Sequence, residues 1–294
     1  MKDESGRMKD ERPTRAFSSF ILHPSSFFKV QLTILDPRMR SALEACGLRR
    51  YEDYISRQLG EVVGRTGTTE TRRIVLNDAS RGETFYVKTY RYEDGRRRRR
   101  LARDKGRLEA RNYRILRQQC RVNVPDVVSH GSRRRGWRLL DAFIMTRGVT
   151  NATPLDEYVR RRWPNGGIIT DALQRYLLEE TADLVSRMHA AGFFHIDLQW
   201  RNLLVSDDGS DRPPIYVIDS ARGASRRWGV YQMHGRLRDL SSLYKLAQWW
   251  VSRREQIRWL RRYLGVQRLS ACQHHALVQA ILHDRSIKDN GTIQ

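Results

Sequence analysis

Apolar residues fall into two patterns along the chain, and the change between them divides it. Leu59-Gly-Glu-Val-Val, Arg73-Ile-Val-Leu-Asn77 and Thr84-Phe-Tyr-Val-Lys-Thr-Tyr90 read as strands, the last two joined by a turn at Ser80-Arg-Gly82-Glu. Two more strands are predicted at Asn123-Val-Pro-Asp-Val-Val128 and over Trp137–Met145. Between these sets, Leu108, Tyr113, Ile115 and Leu116 favour a helix over residues 107–116. After Thr146-Arg-Gly148, the expected hinge, the pattern turns helical from Pro154 onward. Leu173, Tyr176, Leu177, Leu184, Val185 and Met188 predict a long helix over 171–191, stopped by Gly192 in the left-handed conformation that commonly ends helices. Amphipathic segments at 238–247 and 257–265 follow, and Trp249, Trp250 and Trp259 are expected in the core.

The first 38 residues do not share these patterns. Met1-Lys-Asp-Glu is echoed by Met8-Lys-Asp-Glu, and Phe17-Ser-Ser-Phe by Ser25-Ser-Phe-Phe. Such low-complexity words predict disorder, or upstream sequence read from a misplaced start. Met39 then opens a plausible amphipathic helix. The expected organisation is an extension at 1–38, a strand-rich lobe at 39–148 and a helical lobe at 149–294.

Charge narrows the partners. The 294 residues carry 55 Lys and Arg against 33 Asp and Glu, a net of +22, which favours an anionic partner: nucleic acid, an acidic membrane or a phosphorylated glycolipid. Cys46, Cys120 and Cys272 are scattered, so neither a disulfide framework nor a zinc site is indicated and a reducing compartment is expected. No apolar run reaches the roughly 18 residues of a membrane-spanning helix. Nor does the N-terminal stretch have the apolar core of a signal peptide.

The chemistry sits in two stretches. His195-Ile-Asp197-Leu-Gln-Trp-Arg-Asn202 reads H-x-D-L-x-x-x-N, and Tyr216-Val-Ile-Asp219 is a short apolar strand closed by a carboxylate. Together they supply what phosphoryl transfer from ATP needs: Asp197 near an acceptor hydroxyl, and Asn202 and Asp219 as hard oxygen ligands for Mg²⁺. Lys88, in Phe85-Tyr-Val-Lys88, resembles the strand lysine that reaches the α/β-phosphates, and Glu109 is its natural acidic partner. Gly64 and Gly67 stand where a glycine-bearing turn would cover the phosphates, although G-x-x-G is a poor copy of that motif. His195 is expected to be a structural hydrogen-bonder beneath Asp219 rather than a base.

The run Leu184 to Leu198, with His189, Gly192, His195 and Asp197, resembles the catalytic-loop entry of the protein-kinase-like superfamily. That resemblance implies an α+β, two-lobed fold: a small antiparallel sheet with one key helix, then a mainly helical lobe. Ile196 in place of an Arg, Asp219-Ser-Ala in place of D-F-G and the lack of A-P-E separate the chain from eukaryotic-type protein kinases. What it resembles instead is the bacterial lipopolysaccharide core kinase family, the Kdo and heptose kinases and their InaA-like relatives. The matching features are the catalytic loop, Ile218-Asp-Ser-Ala-Arg-Gly223, the Arg238-Asp-Leu helix, the Arg107-Leu-Glu-Ala-Arg-Asn-Tyr113 helix followed by Val124-Pro, and the terminal Arg-Arg-Tyr-Leu-Gly265. The resemblance implies ATP- and Mg²⁺-dependent phosphorylation of a sugar hydroxyl in the lipid A–linked inner core, peripherally on the cytoplasmic face of the inner membrane.

Other classes remain open at this stage. They are a kinase of a protein or of a small soluble substrate such as an aminoglycoside, and a pseudokinase scaffold. The run Arg96–Arg100, with Arg103, Lys105 and Arg107, suits a solvated loop, an anionic glycolipid or an acidic membrane surface. Nucleic acid is the least favoured partner, because no aromatic residues are interleaved with the basic run.

Overall fold

The computed structural model describes residues 28–56, 59–78, 81–92, 102–164, 171–225 and 229–269, together with 272 and 279. Six strands form one antiparallel sheet: β1 (Phe28–Ile34), β2 (Glu61–Thr66), β3 (Thr69–Asp78), β4 (Arg81–Arg91), β5 (Val127–Arg135) and β6 (Arg138–Arg147). Their spatial order is β1-β5-β6-β4-β3-β2. Successive side chains of a strand face opposite sides, and both sides of the central strands of this sheet are covered, while β2 at the edge is exposed. Phe85, Val87, Phe143 and Met145 pack against Leu43, Leu48, Tyr51 and Tyr54 of α1 (Arg40–Ala45), α2 (Tyr51–Ile55) and the link between them. Tyr90, Ala142 and Ile144 face Ala110, Tyr113 and Leu116 of α3 (Lys105–Gln118). Gly106 brings α3 in close: a Cβ there would lie 2.3 Å from the Phe143 carbonyl oxygen.

Two expectations need correction. Strand β1 lies inside the stretch read as a foreign extension, yet it pairs with β5 from Phe28↔Arg135 to Ile34↔Ser129. The folded unit therefore includes residue 28. β1 was hidden because only Leu32 and Ile34 pack against the core, and Phe28 and Val30 are exposed. Strand β5 also begins later than read. Its Ser129, His130 and Ser132 are buried but polar, which masked the strand in sequence. Asn123 instead bridges to Tyr216 of the second lobe, accepting the Val217 amide at 2.9 Å. Trp137 is 76% exposed, at the β5–β6 turn.

The second lobe contains β7 (Ala152–Pro154), α4 (Leu155–Arg162), α5 (Ala172–Ala190), β8 (Phe193–Phe194), β9 (Leu203–Ser206), β10 (Ile215–Val217), β11 (Ala224–Ser225), α6 (Gly229–Trp250) and α7 (Arg253–Leu264). Asp171 caps α5 by accepting the Gln174 amide at 2.7 Å, and Gly192 turns the chain out of it at φ +70°. Gly265 at φ +67° closes α7 in the same way. Trp259 stacks on Tyr263, and Trp250 lines an apolar cleft with Trp163 and Leu260. Trp249 departs from the core expectation: it lies at the end of α6, 69% exposed.

Candidate active site

The site forms where the sheet, α3 and two turns of the helical lobe meet. Lys88 projects from β4 in register with Thr71 of β3, which pairs with Gly64 of β2. Its Nζ lies 2.5 Å from Asp219 Oδ1 and 3.7 Å from Glu109 Oε1. Burial disfavours the ammonium, but the two carboxylates outweigh it and raise the Lys88 pKa. Burial likewise opposes charge on Asp219, and Lys88 overcomes it, holding the carboxyl below its usual range.

Glu109 is buried, and its carboxylate is fully engaged. The hydroxyls of Tyr90 and Tyr113 both donate to it, the latter at 3.0 Å. Burial first, then the Glu109 charge, pushes both phenols well above their ordinary pKa, so they remain donors. Tyr113 follows Glu109 by four residues, one helical turn, which puts the two on one face of α3. The same hydroxyl accepts the Asp219 backbone amide at 3.1 Å.

The loop carrying Asp197 is set from below by α6. Asp239 is fully buried and accepts the backbone amides of His195 at 2.8 Å and Ile196 at 2.6 Å, while His189 Nε2 lies 3.2 Å away. Ile196 sits at φ +71°, a left-handed conformation costly for a β-branched residue. The two amide bonds and Arg238 Nε, which donates to the Ile196 carbonyl at 3.1 Å, hold it there. His195 Nε2 lies 2.9 Å from the Ile218 carbonyl, immediately before Asp219. Asn202 Nδ2 donates to the Asp197 carbonyl at 2.8 Å. Asp197 Oδ1 accepts from Gln199 Nε2 at 2.7 Å, and Arg222 Nη1 lies 3.9 Å from Oδ2.

Lys88 thus lies between Glu109 and Asp219, and Asn202 is tied to Asp197. The glycines are less distinctive. Gly64 follows a bulge in the β2–β3 ladder and Gly67 lies in the hairpin turn; neither has a positive φ, and a Cβ at either would meet open space or one contact at 3.9 Å. Local geometry therefore does not demand glycine there. The run Arg96–Arg100 lies outside the described residues. Beyond it, Asp104 caps α3 by accepting the Arg107 amide at 2.9 Å, and Lys105 Nζ stands 5.5 Å from the centre of the Tyr90 ring.

Sequence reasoning missed Tyr90, Asn112, Tyr113 and Asp239. The available signals were the Arg107-Leu-Glu-Ala-Arg-Asn-Tyr113 motif, with Tyr113 one helical turn from Glu109, and the Arg238-Asp-Leu motif that carries Asp239.

The residue set suits Mg²⁺. Among the described residues no cluster of three or more His, Cys, Asp or Glu could cage a metal. Mg²⁺ needs no such cage, because it takes one or two protein oxygens and keeps phosphate and water for the rest. With Nδ2 of Asn202 committed to the loop, its side-chain oxygen is left as an acceptor, and its backbone carbonyl accepts the Ile218 amide at 2.9 Å, one residue before Asp219. No helix among the described residues is long and apolar enough to cross a membrane.

The model of the lipopolysaccharide kinase (Kdo/WaaP) family matches residues 55–263. No curated protein matches the chain. A solved structure described as "WaaP in complex with acyl carrier protein" superposes with a TM-score of 0.62 at 22% identity, covering 88% of this chain and 100% of that one, and shows a shared fold. With the family match spanning most of both lobes, the chain belongs to the lipopolysaccharide kinase (Kdo/WaaP) family and is an ATP-dependent phosphotransferase acting on a sugar hydroxyl.

Proposed function

We propose that the chain phosphorylates a Kdo or heptose hydroxyl of the lipid A–linked inner core, peripherally at the cytoplasmic face of the inner membrane. The observation that carries the residue roles is the meeting of Lys88, Glu109 and Asp219 beside a loop in which Asn202 is bonded to Asp197. Asp197 accepts the hydrogen bond of the acceptor hydroxyl and takes its proton late in transfer. Lys88, oriented by Glu109, would bind the α/β-phosphates, and the β2–β3 hairpin with Gly64 and Gly67 is the segment assigned to cover them. Asn202 and Asp219 hold Mg²⁺, which when bound neutralises charge on the phosphates. His195 supports the backbone before Asp219. Such an intact ion-pair network supports an active kinase over a pseudokinase scaffold.

The membrane part of the reading rests on charge. Clustered Arg near an acidic leaflet contributes about 1 kcal/mol each, and the guanidinium fork matches phosphate geometry. We assign that contact to Arg96–Arg100.

Mass spectrometry of lipid A–core from a strain lacking the gene should show one phosphate missing, restored by the wild-type chain and not by Asp197→Asn. An unchanged phosphate content would overturn the substrate assignment. Replacing Arg96–Arg100 with Ser should weaken sedimentation with anionic vesicles at low salt; equal binding would remove the membrane contact.

A further inference from the structure

In this chain Asp219 is followed by Ser220-Ala221, so the turn after it carries no aromatic side chain to wedge beneath α3. Helix α3 reaches that turn with polar groups instead. Asn112 is buried, and its Nδ2 donates to the Ser220 carbonyl at 2.7 Å and to the Gly223 carbonyl at 2.8 Å, clasping both ends of the turn. Gly223 leaves room for the clasp: a Cβ there would stand 3.3 Å from Asn112 Nδ2 and 2.6 Å from Phe193 Cζ. The adjacent Tyr113 hydroxyl accepts the Asp219 amide at 3.1 Å while donating to Glu109 at 3.0 Å. Glu109, Asn112 and Tyr113 occupy positions i, i+3 and i+4, a single face of the helix.

We propose that Asn112 and Tyr113 are positioning residues that couple Glu109, and through it Lys88, to the Asp219 turn. One helix then sets both the phosphate-binding cation and the metal-binding carboxylate. Asp219 sits at φ +57°, and the Tyr113 hydroxyl and the Asn112 clasp hold the backbone on either side of it. Every group in the latch belongs to the chain as synthesised, so assembly of the site awaits no added phosphate. The described hydrogen bonds of both residues run to Glu109 and to the turn from Asp219 to Gly223, so the coupling is read on nucleotide and metal.

The inference rests on the assignment of Asp219 to Mg²⁺. Its test is titration calorimetry of ATP with the full chain, at graded Mg²⁺ and without it, which needs no sugar acceptor. Tyr113→Phe keeps the ring and removes both hydroxyl bonds. The Mg²⁺ concentration that half-restores tight ATP binding should rise roughly tenfold, the cost of about one lost hydrogen bond to a charged group. ATP binding without Mg²⁺, which senses Lys88 and not Asp219, should weaken by a smaller factor, because Tyr90 and Lys88 still hold Glu109. Asn112→Ala removes the other half of the latch and should shift Mg²⁺ dependence in the same direction; it carries the test if the Tyr113→Phe chain does not fold. In a Glu109→Gln background the effect of Tyr113→Phe should shrink, because the two act as one unit. Folded variants with wild-type Mg²⁺ dependence would overturn the proposal, as would an equal loss of affinity with and without Mg²⁺, which marks a merely structural role. A wild-type chain whose ATP binding ignores Mg²⁺ would instead defeat the metal assignment itself.

Discussion

Replacing Asp239 with Asn should disable the site from a position behind the loop that carries Asp197. The carboxylate is 0% exposed and accepts two backbone amides, from His195 at 2.8 Å and Ile196 at 2.6 Å, with His189 Nε2 at 3.2 Å. Asparagine keeps the shape but turns one acceptor into a donor, so at least one amide or the imidazole loses its partner. A hydrogen bond to a charged group contributes about 1.5–3 kcal/mol, and a buried group left unsatisfied costs about 1–3 kcal/mol. Because these terms overlap, a loss of about 2–4 kcal/mol of folding stability is expected. The functional effect follows from Ile196. Its left-handed backbone costs roughly 1–2 kcal/mol, and without both amide anchors it relaxes, moving Asp197. A displacement of about 1 Å at a reacting group can cost a hundredfold in rate. Urea denaturation followed by tryptophan fluorescence measures the first quantity, and ADP release with acceptor present measures the second. An Asp239→Asn variant within about 0.5 kcal/mol of wild type and within about threefold in kcat would refute the anchoring role.

Gly106→Ala tests the seating of α3. Helix propensity alone predicts stabilisation of up to about 1 kcal/mol, whereas a Cβ 2.3 Å from the Phe143 carbonyl must push the helix away from β6. We expect destabilisation and a raised KM for ATP as Glu109 retreats from Lys88; a higher melting temperature at unchanged KM would contradict that packing. Deleting residues 1–38 removes β1 and, with it, the half-buried Leu32 and Ile34. The loss of apolar burial and ladder bonds is about 2–4 kcal/mol, or roughly 5–15 °C in melting temperature by scanning fluorimetry. An unaltered melting temperature would return the folded boundary to Met39.

The limits of reading in sequence are clearest at β1 and β5. A strand announces itself when one face is apolar and the other polar, and β1 has too few apolar contacts for that. In β5, Ser129 and Ser132 are buried although their composition suggests a loop. Each is placed by neighbouring strands rather than by its own propensity. Gly64 and Gly67 show the converse. A plausible motif position was visible, but the backbone there makes no demand that only glycine meets.

The sequence alone picked out the candidate site residues and determined the order of the lobes. Asp197 and Asn202 are held by one short loop, whose spacing is local and therefore written in adjacent letters. The two-lobed α+β arrangement followed because the change from strand-like to helical patterning is also a local property. Only the tertiary structure decided how the parts are held. Lys88 meets Asp219 across 131 positions of sequence, and Asp239 reaches back over more than forty to fix His195 and Ile196. Asn112 and Tyr113 were visible as part of a helix motif, but what they hold was settled only when the fold laid the Asp219 turn against them. Hydrogen bonds between distant segments depend on where the packed core places each backbone group, and no local pattern encodes that placement.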